Sequence, residues 1–167
     1  MDNCLGALFI LAVRLMKMLI EPAKQVDEMA RAVIGAAIEA HRHLGPGFLE
    51  SIYEEALCVE LRDRRISFER QKEISVLYKD REIGKHRVDL LVAKSLVVEL
   101  KTVEALADIH KAQLISYLKA LRLPLGLLIN FNVPILKNGI QRVVYTSNQT
   151  IMRPMRQSEN DSWRLGG

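Results

Sequence analysis

Apolar residues recur at helical spacing in three segments of the chain. This spacing places them on one face of a helix, which can then pack against a core. Glycine and proline within His43–Gly47 separate the first two segments, and Pro124 follows the third. The pattern predicts helices over Gln25–His43, from about Phe48 to Arg65, and over Leu106–Leu121.

Five other segments are rich in apolar and β-branched residues and are bounded by polar or turn-forming residues, which is typical of strands. The run Leu125–Phe131 is apolar throughout, which predicts a strand buried on both faces. The turn Lys79–Arg81 separates the first two strands. The predicted strands are Phe68–Tyr78, Glu82–Ala93, Leu96–Val103, Leu125–Phe131 and Ile140–Thr146.

The predicted order of elements is α-α-β-β-β-α-β-β. Three strands joined by hairpins, followed by a helix that crosses to another strand, indicate an α/β (α+β) fold with a mixed central sheet flanked by helices. A chain of 167 residues, with 49% apolar and 26% charged residues, suits one globular domain, which we expect over residues 21–147.

The two ends of the chain differ from this domain. Leu5–Val13 is apolar but far shorter than the roughly 20 residues that span a bilayer. An acid precedes this run and bases follow it, the reverse of a secretory signal. We therefore expect an apolar extension over residues 1–20, or a true start at Met16 or Met18, in preference to membrane targeting. The polar residues 148–167 predict a flexible tail.

Charge and cysteine content narrow the function only slightly. The net charge of +4 permits nucleic-acid binding without requiring it. Cys4 and Cys58 lie far apart with no histidine cluster, which argues against a zinc site and a disulfide framework. This cysteine content favours a cytoplasmic location, and we expect no integral association with a membrane.

Asp89, Glu99 and Lys101 are ionisable residues within Arg87–Val103, a segment that otherwise reads as two buried apolar strands. Because side chains alternate along a strand, Glu99 and Lys101 point the same way. A turn at Ala93–Ser95 would bring Asp89 to the same place. Two carboxylates beside an ammonium can bind a hard divalent cation and offset charge on a phosphate.

The alternative for this trio is an ion pair on a solvated sheet face. However, Val97 and Val103 occupy the other positions on that face, and the flanking residues are apolar. The strand is therefore expected to be central, where charged side chains are costly. This favours a functional role.

The second helix contains Gly47, Glu50 and Tyr53 in a G-x-x-E-x-x-Y pattern. Glu50 falls within the apolar arc, which indicates a metal, a cation or backbone donors as its partner. A favourable interaction with the helix dipole explains its position equally well. Glu54 is a substitute candidate on the same stripe, and Glu60 is a candidate for a structural ion pair.

The third helix carries His110, Gln113 and Tyr117 on one face. Glutamine and tyrosine offer hydrogen bonds to a phosphate, a base edge or a carboxylate. A lone histidine in this position is more often a surface or capping residue than a ligand, so His110 is the weakest candidate of the three.

With these motifs in this order, the sequence resembles the PD-(D/E)XK nuclease superfamily, which has a restriction-endonuclease-like core. It is more closely similar to the GxxExxY protein family in GPGFLESIY, RVDLLV, VVELK, AQLISYLKAL and LGLLINF. The resemblance extends from about Val26 to Val144. Val88 stands where the superfamily name has proline, a frequent departure.

The resemblance implies roles for individual residues. Asp89 and Glu99 would bind Mg²⁺ or Mn²⁺ together with the backbone carbonyl of Leu100, and Glu50 would approach the metal through water. Lys101 would position or activate the water that attacks a phosphodiester. Asp89, Glu99, Lys101 and Glu50 would thus be catalytic.

In the same resemblance, Gln113 and Tyr117 match a Q-x-x-x-Y element that helps to bind the substrate. The implied partner is nucleic acid, with DNA favoured over RNA. Tyr53 is expected only to pack, because an aromatic residue at helical spacing usually lies in the core.

Two other functions are compatible with the sequence. The first is a nucleic-acid-binding or regulatory protein that retains the nuclease fold without cutting. The second is a structural or partner-binding protein, acting as a homodimer, for which the apolar N-terminal run would be suitable. Metal binding and loss of activity in Asp89→Ala distinguish these functions from a nuclease.

Overall fold

The computed structural model describes residues 24–146, and the extension and tail predicted for residues 1–20 and 148–167 lie outside them. In this part of the chain, three α-helices and one short 3₁₀ helix accompany a five-stranded sheet. In chain order these elements are α1 (Lys24–Leu44), α2 (Glu50–Asp63), β1 (Phe68–Tyr78), β2 (Arg81–Val92), β3 (Leu96–Lys101), α3 (Asp108–Leu121), β4 (Leu125–Asn130), the 3₁₀ helix (Leu136–Gly139) and β5 (Ile140–Val144).

The strands lie in the order β1-β2-β3-β4-β5. All neighbouring pairs are antiparallel except β3 and β4, which are parallel. A parallel pair needs a crossover connection, and α3 supplies it. The predicted order α-α-β-β-β-α-β-β and the mixed α+β fold are therefore confirmed.

The sheet has a core on each face. On one face, α1 and α2 pack against the even-numbered residues of β3, which include Val98 and Leu100. On the other face, α3 packs against Val97 and Leu128. Every residue of β4 is buried, which confirms the prediction of a strand covered on both faces. Within residues 24–146, no helix combines the length and apolar character needed to cross a membrane.

Several predicted boundaries were wrong by one or two residues, for local reasons. Helix α3 begins at Asp108 instead of Leu106, because Ala107 is its N-cap and donates its amide hydrogen to Nδ1 of His110 (3.0 Å). Strand β3 ends before Val103, because the Asn130 side chain bonds both the amide (3.1 Å) and the carbonyl (2.8 Å) of Val103. The 3₁₀ helix was not predicted.

Strands β1 and β2 exchange faces partway along their length. Val88 is buried on the α3 side, whereas Leu90, two residues later, is buried on the side of α1 and α2. The pairing register omits Gln71 and Asp89 at this point, and Gln71 has a left-handed φ of 49°. The left-handed residue rotates the hairpin, so that its outer half lies over α3.

The turn between β2 and β3 has the predicted position. Ala93 and Lys94 both have positive φ, 47° and 53°, and the amide of Ser95 donates to the carbonyl of Val92 (3.0 Å). Two left-handed residues at the centre of a turn match the twist of a tight hairpin. This turn folds β3 back along β2, which brings Asp89 to the level of Glu99.

We predict that Gly139→Ala lowers the free energy of unfolding by about 1–3 kcal/mol, the usual cost of overpacking. A β-carbon at Gly139 would collide with the carbonyl oxygen of Asn130 and approach Val133 to 2.9 Å. Denaturant-induced unfolding measures the effect. The control is Gly84→Ala, where the added carbon meets no atom within 4 Å. Equal unfolding midpoints for both variants would contradict the prediction.

Candidate active site

Asp89 lies where β2 and β3 separate. The ladder between these strands stops at Leu90 and Val98, although both strands continue beyond it. Past this point, Oδ2 of Asp89 accepts the amide hydrogen of Leu100 (2.8 Å), a donor that strand pairing would otherwise use. The Asp89 side chain therefore replaces a rung of the ladder and leaves a gap between the strands.

Glu99 and Lys101 point into the site from β3. Nζ of Lys101 donates to Oε1 of Glu99 (2.7 Å), and Glu99 is only 3% exposed. The other oxygen, Oε2, is buried without a hydrogen-bond partner among the described residues. A buried carboxylate oxygen with no donor is costly, which suggests that a group outside the protein satisfies it.

The carboxyl groups of Asp89 and Glu99 have higher pKa values than isolated carboxyl groups. Burial raises the pKa of Glu99 to about 7, and the charge of Asp89 contributes to this increase. Burial also raises the pKa of Asp89, although the hydrogen bond from Leu100 opposes the shift. Two buried carboxylates repel each other, so a positive charge between them would favour their ionised forms.

Lys101 retains its charge in these surroundings. Burial opposes the ammonium form, but the hydrogen bond and charge of Glu99, together with the charges of Glu50 and Asp89, raise the pKa of Lys101 overall. An ammonium group has three donors and no lone pair. Lys101 can therefore donate hydrogen bonds and offset negative charge, but it cannot accept a proton in this state.

Glu50 approaches the same group from the first turn of α2. Its carboxylate lies close enough to Lys101, Asp89 and the backbone of Thr102 for each of them to affect its pKa. Burial raises the pKa of Glu50, and the charge of Lys101 opposes this shift. Backbone donors and a cation were among the partners expected for a carboxylate on the apolar side of this helix.

Tyr53 holds the loop that precedes Glu50. Its hydroxyl donates to the carbonyl of Gly45 (2.6 Å) and accepts the amide hydrogen of Phe48 (3.2 Å). Its ring stacks on Phe131 with the centroids 4.5 Å apart. Tyr53 is fully buried, which confirms the prediction that it packs. Its hydrogen bonds additionally fix the start of α2 and hence the position of Glu50.

Glu54 is engaged by other residues and does not replace Glu50. Arg70 contacts one carboxylate oxygen of Glu54, and Nε2 of Gln71 donates to the other (2.5 Å). The same Gln71 nitrogen makes a longer contact with Oδ1 of Asp89 (3.4 Å). No sequence pattern points to Arg70 or Gln71, because their contacts depend on the left-handed backbone at Gln71. Glu60 pairs with Arg64 (3.1 Å), as expected for a structural residue.

Gln113 and Tyr117 meet on α3, as their spacing predicts. Nε2 of Gln113 donates to the hydroxyl of Tyr117 (2.5 Å), and Nδ1 of His86 lies 2.9 Å from that hydroxyl. Burial and the charge of Glu99 raise the pKa of Tyr117 to about 12, so its hydroxyl stays protonated. His86 was missed, since only the strand register brings it to α3. His110 instead caps α3, as expected.

The donor set of this site fits a hard divalent cation. The oxygen atoms with spare capacity are Oε2 of Glu99 and Oδ1 of Asp89, on adjacent strands. Within residues 24–146, no cluster of three or more acidic, histidine or cysteine side chains is already assembled for a metal. Two carboxylates suit magnesium, which is usually bound by one or two carboxylates and completes its coordination with water and substrate phosphates.

Comparison with known proteins places the chain in a family. The sequence model described as the PD-(D/E)XK nuclease superfamily matches residues 27–143, which is more than half of the chain. No curated protein and no solved structure matches significantly. The matched region begins in α1 and ends one residue before the end of β5, so it contains the rest of the sheet and every candidate site residue. The chain belongs to the PD-(D/E)XK nuclease superfamily.

Proposed function

We propose that this protein is a metal-dependent nuclease that hydrolyses phosphodiester bonds in nucleic acid, with DNA the favoured substrate. The observation that carries the proposal is the convergence of Asp89 and Glu99 on a charged Lys101 at the gap between β2 and β3. Oε2 of Glu99 has no protein donor among the described residues, which supports a cation as its partner. We also propose the GxxExxY proteins as the nearest branch and the cytoplasm as its location.

Asp89 and Glu99 are the proposed metal ligands, with the Leu100 carbonyl as a third and Glu50 acting through water. Magnesium or manganese, when bound, supplies Lewis-acid polarisation of the phosphoryl oxygen and acidifies water. The protein determines where this happens. The hydrogen bond from the Leu100 amide fixes Asp89. Tyr53 bonds the loop before α2 and so fixes the start of the helix that carries Glu50. Both residues are therefore positioned before any substrate arrives.

Lys101 is the proposed donor to the reacting groups. In the hydrolysis, the oxygen of water bonds to phosphorus while the bond from phosphorus to one sugar oxygen breaks. Negative charge accumulates on the phosphoryl oxygens during this exchange. Because the pKa of Lys101 is raised, its ammonium is present at neutral pH to offset that charge and to orient the water.

We expect Asp89→Asn and Lys101→Met to lower metal-dependent cleavage by at least about 10²-fold, the usual effect of removing one group that stabilises transition-state charge. Asparagine can still accept the Leu100 amide hydrogen, so the fold should persist. The assay offers single-stranded, duplex and branched DNA, and RNA, with Mg²⁺ or Mn²⁺.

The control for this assay is Lys24→Met. Lys24 pairs with Glu28 (3.7 Å) at the start of α1, and this end of α1 contacts β5 through Asp27 and Arg142. The substitution therefore removes a lysine–carboxylate pair at the opposite edge of the sheet from Asp89. It should leave cleavage unchanged. No cutting of any substrate by the wild type, or undiminished cutting by Asp89→Asn, would refute the nuclease proposal. Binding without cutting would favour the regulatory alternative.

Stabilisation by a fixed concentration of Mg²⁺ should increase between about pH 6 and pH 8, because metal must displace the Glu99 proton. Without metal, the raised pKa of Glu99 has the opposite effect on stability. The folded state binds the Glu99 proton more tightly than the unfolded state does, and the stability gained in this way is lost as pH rises through about 7. Thermal unfolding with and without Mg²⁺ measures both effects. In Glu99→Gln, the metal effect should be small at both pH values. A pH-independent metal effect in the wild type would contradict the assignment of Glu99.

A further inference from the structure

A cavity of about 400 Å³ lies between the outer half of the β1–β2 hairpin and α3. It exists because the hairpin rotates at Gln71 and leans over the helix. Its volume falls within the usual range of small-molecule sites. Its apolar wall includes Ile74, Val76, Leu77 and Ala120, and its basic rim includes Lys119 and Arg122.

Tyr117 connects this cavity with the candidate active site. The tyrosine lines the cavity, and it lies close enough to Glu99 and Asp89 for their charges to affect its hydroxyl. His86 also lines the cavity and holds that hydroxyl at 2.9 Å. A nucleic-acid strand bound at Asp89 and Glu99 would therefore pass next to this cavity.

The two kinds of surface in the cavity match the two parts of a nucleotide. The apolar wall and the Tyr117 ring suit the face of a base, which stacks on aromatic and apolar groups without regard to sequence. Lys119 and Arg122 form no ion pair within residues 24–146, unlike Lys72 and Lys85 on the hairpin. Cations without acidic partners are suited to phosphate. One carboxylate lies nearby, because Glu82 accepts the hydroxyl hydrogen of Ser75 in the lining (2.6 Å).

We propose that this cavity binds a nucleotide that flanks the scissile phosphodiester, with its base against the apolar wall and a phosphate at Lys119 and Arg122. This inference rests on the proposed function, because only a nuclease has a scissile phosphodiester. What it asserts about the cavity, however, is the binding of a nucleotide. It therefore has a test that does not require cleavage.

The test measures binding of a fluorescein-labelled single-stranded oligodeoxynucleotide to the full chain by anisotropy, in EDTA and over a series of salt concentrations. The variant is Lys119→Gln/Arg122→Asn. Asparagine is chosen because Arg122 has a φ of 56°, and asparagine tolerates left-handed backbone. We expect affinity to fall about tenfold and the salt dependence to become shallower by about 0.7 for each lost phosphate contact.

The matched control is Lys137→Gln/Arg65→Asn. It removes the same charge, and Arg65 is likewise an exposed arginine that follows a helix with a φ of 56°. Both control positions adjoin residues of the opposite core, beneath α1 and α2. The control should bind like the wild type, so a general effect of net charge would appear as an equal loss in both variants.

Several results would overturn the proposal. The first is that the cavity variant and the control bind with equal affinity and equal salt dependence. The second is that the wild type does not bind the oligonucleotide. The third is that the cavity variant changes its oligomeric state while its binding stays unchanged. The last result would mean that a second copy occupies the cavity. If the binding pattern is as expected but no cleavage is found, the cavity proposal stands and the nuclease proposal fails.

Discussion

The hydrogen bond from the Leu100 amide to Asp89 is the interaction on which the site depends. In a continuous sheet, that amide would bond to a backbone carbonyl of the neighbouring strand, and no gap would exist between β2 and β3. A carboxylate satisfies the same donor through a side chain, and its second oxygen has only the longer contact from Gln71. The result is an opening in the sheet at which the Leu100 amide keeps a hydrogen bond and the Leu100 side chain stays buried.

The opening concentrates charge where it is unfavourable. Asp89, Glu99 and Glu50 all have raised pKa values, with burial the largest cause in each case. The charge of Lys101 lowers the pKa of all three acids, and its ammonium hydrogen-bonds Glu99. A site optimised only for stability would not keep several buried acids around one base. The arrangement is better explained by a cation that binds later, since metal binding and removal of carboxyl protons favour each other.

Much of this fold could be predicted from the sequence, because the pattern of each element agrees with its burial. The apolar run Leu125–Phe131 predicted a strand buried on both faces, and the charges at Asp89, Glu99 and Lys101 were conspicuous because their neighbours are apolar. Helical spacing likewise paired Gln113 with Tyr117. These predictions depend only on the period of a strand or a helix.

The residues that were missed depend on tertiary geometry. His86 reaches Tyr117 only because β1 and β2 rotate, and Asn130 ends β3 through a bond to a residue 27 positions earlier in the chain. Left-handed backbone is uncommon for glutamine, so the rotation had no signal in the sequence. At Gln71, bonds from its side chain to Glu54 and Asp89 compensate for that backbone. Gln71 thus has two consequences: the rotation exposes Asp89 to the gap in the sheet and places the hairpin over α3. The gap at the candidate active site and the neighbouring cavity therefore have a common structural origin.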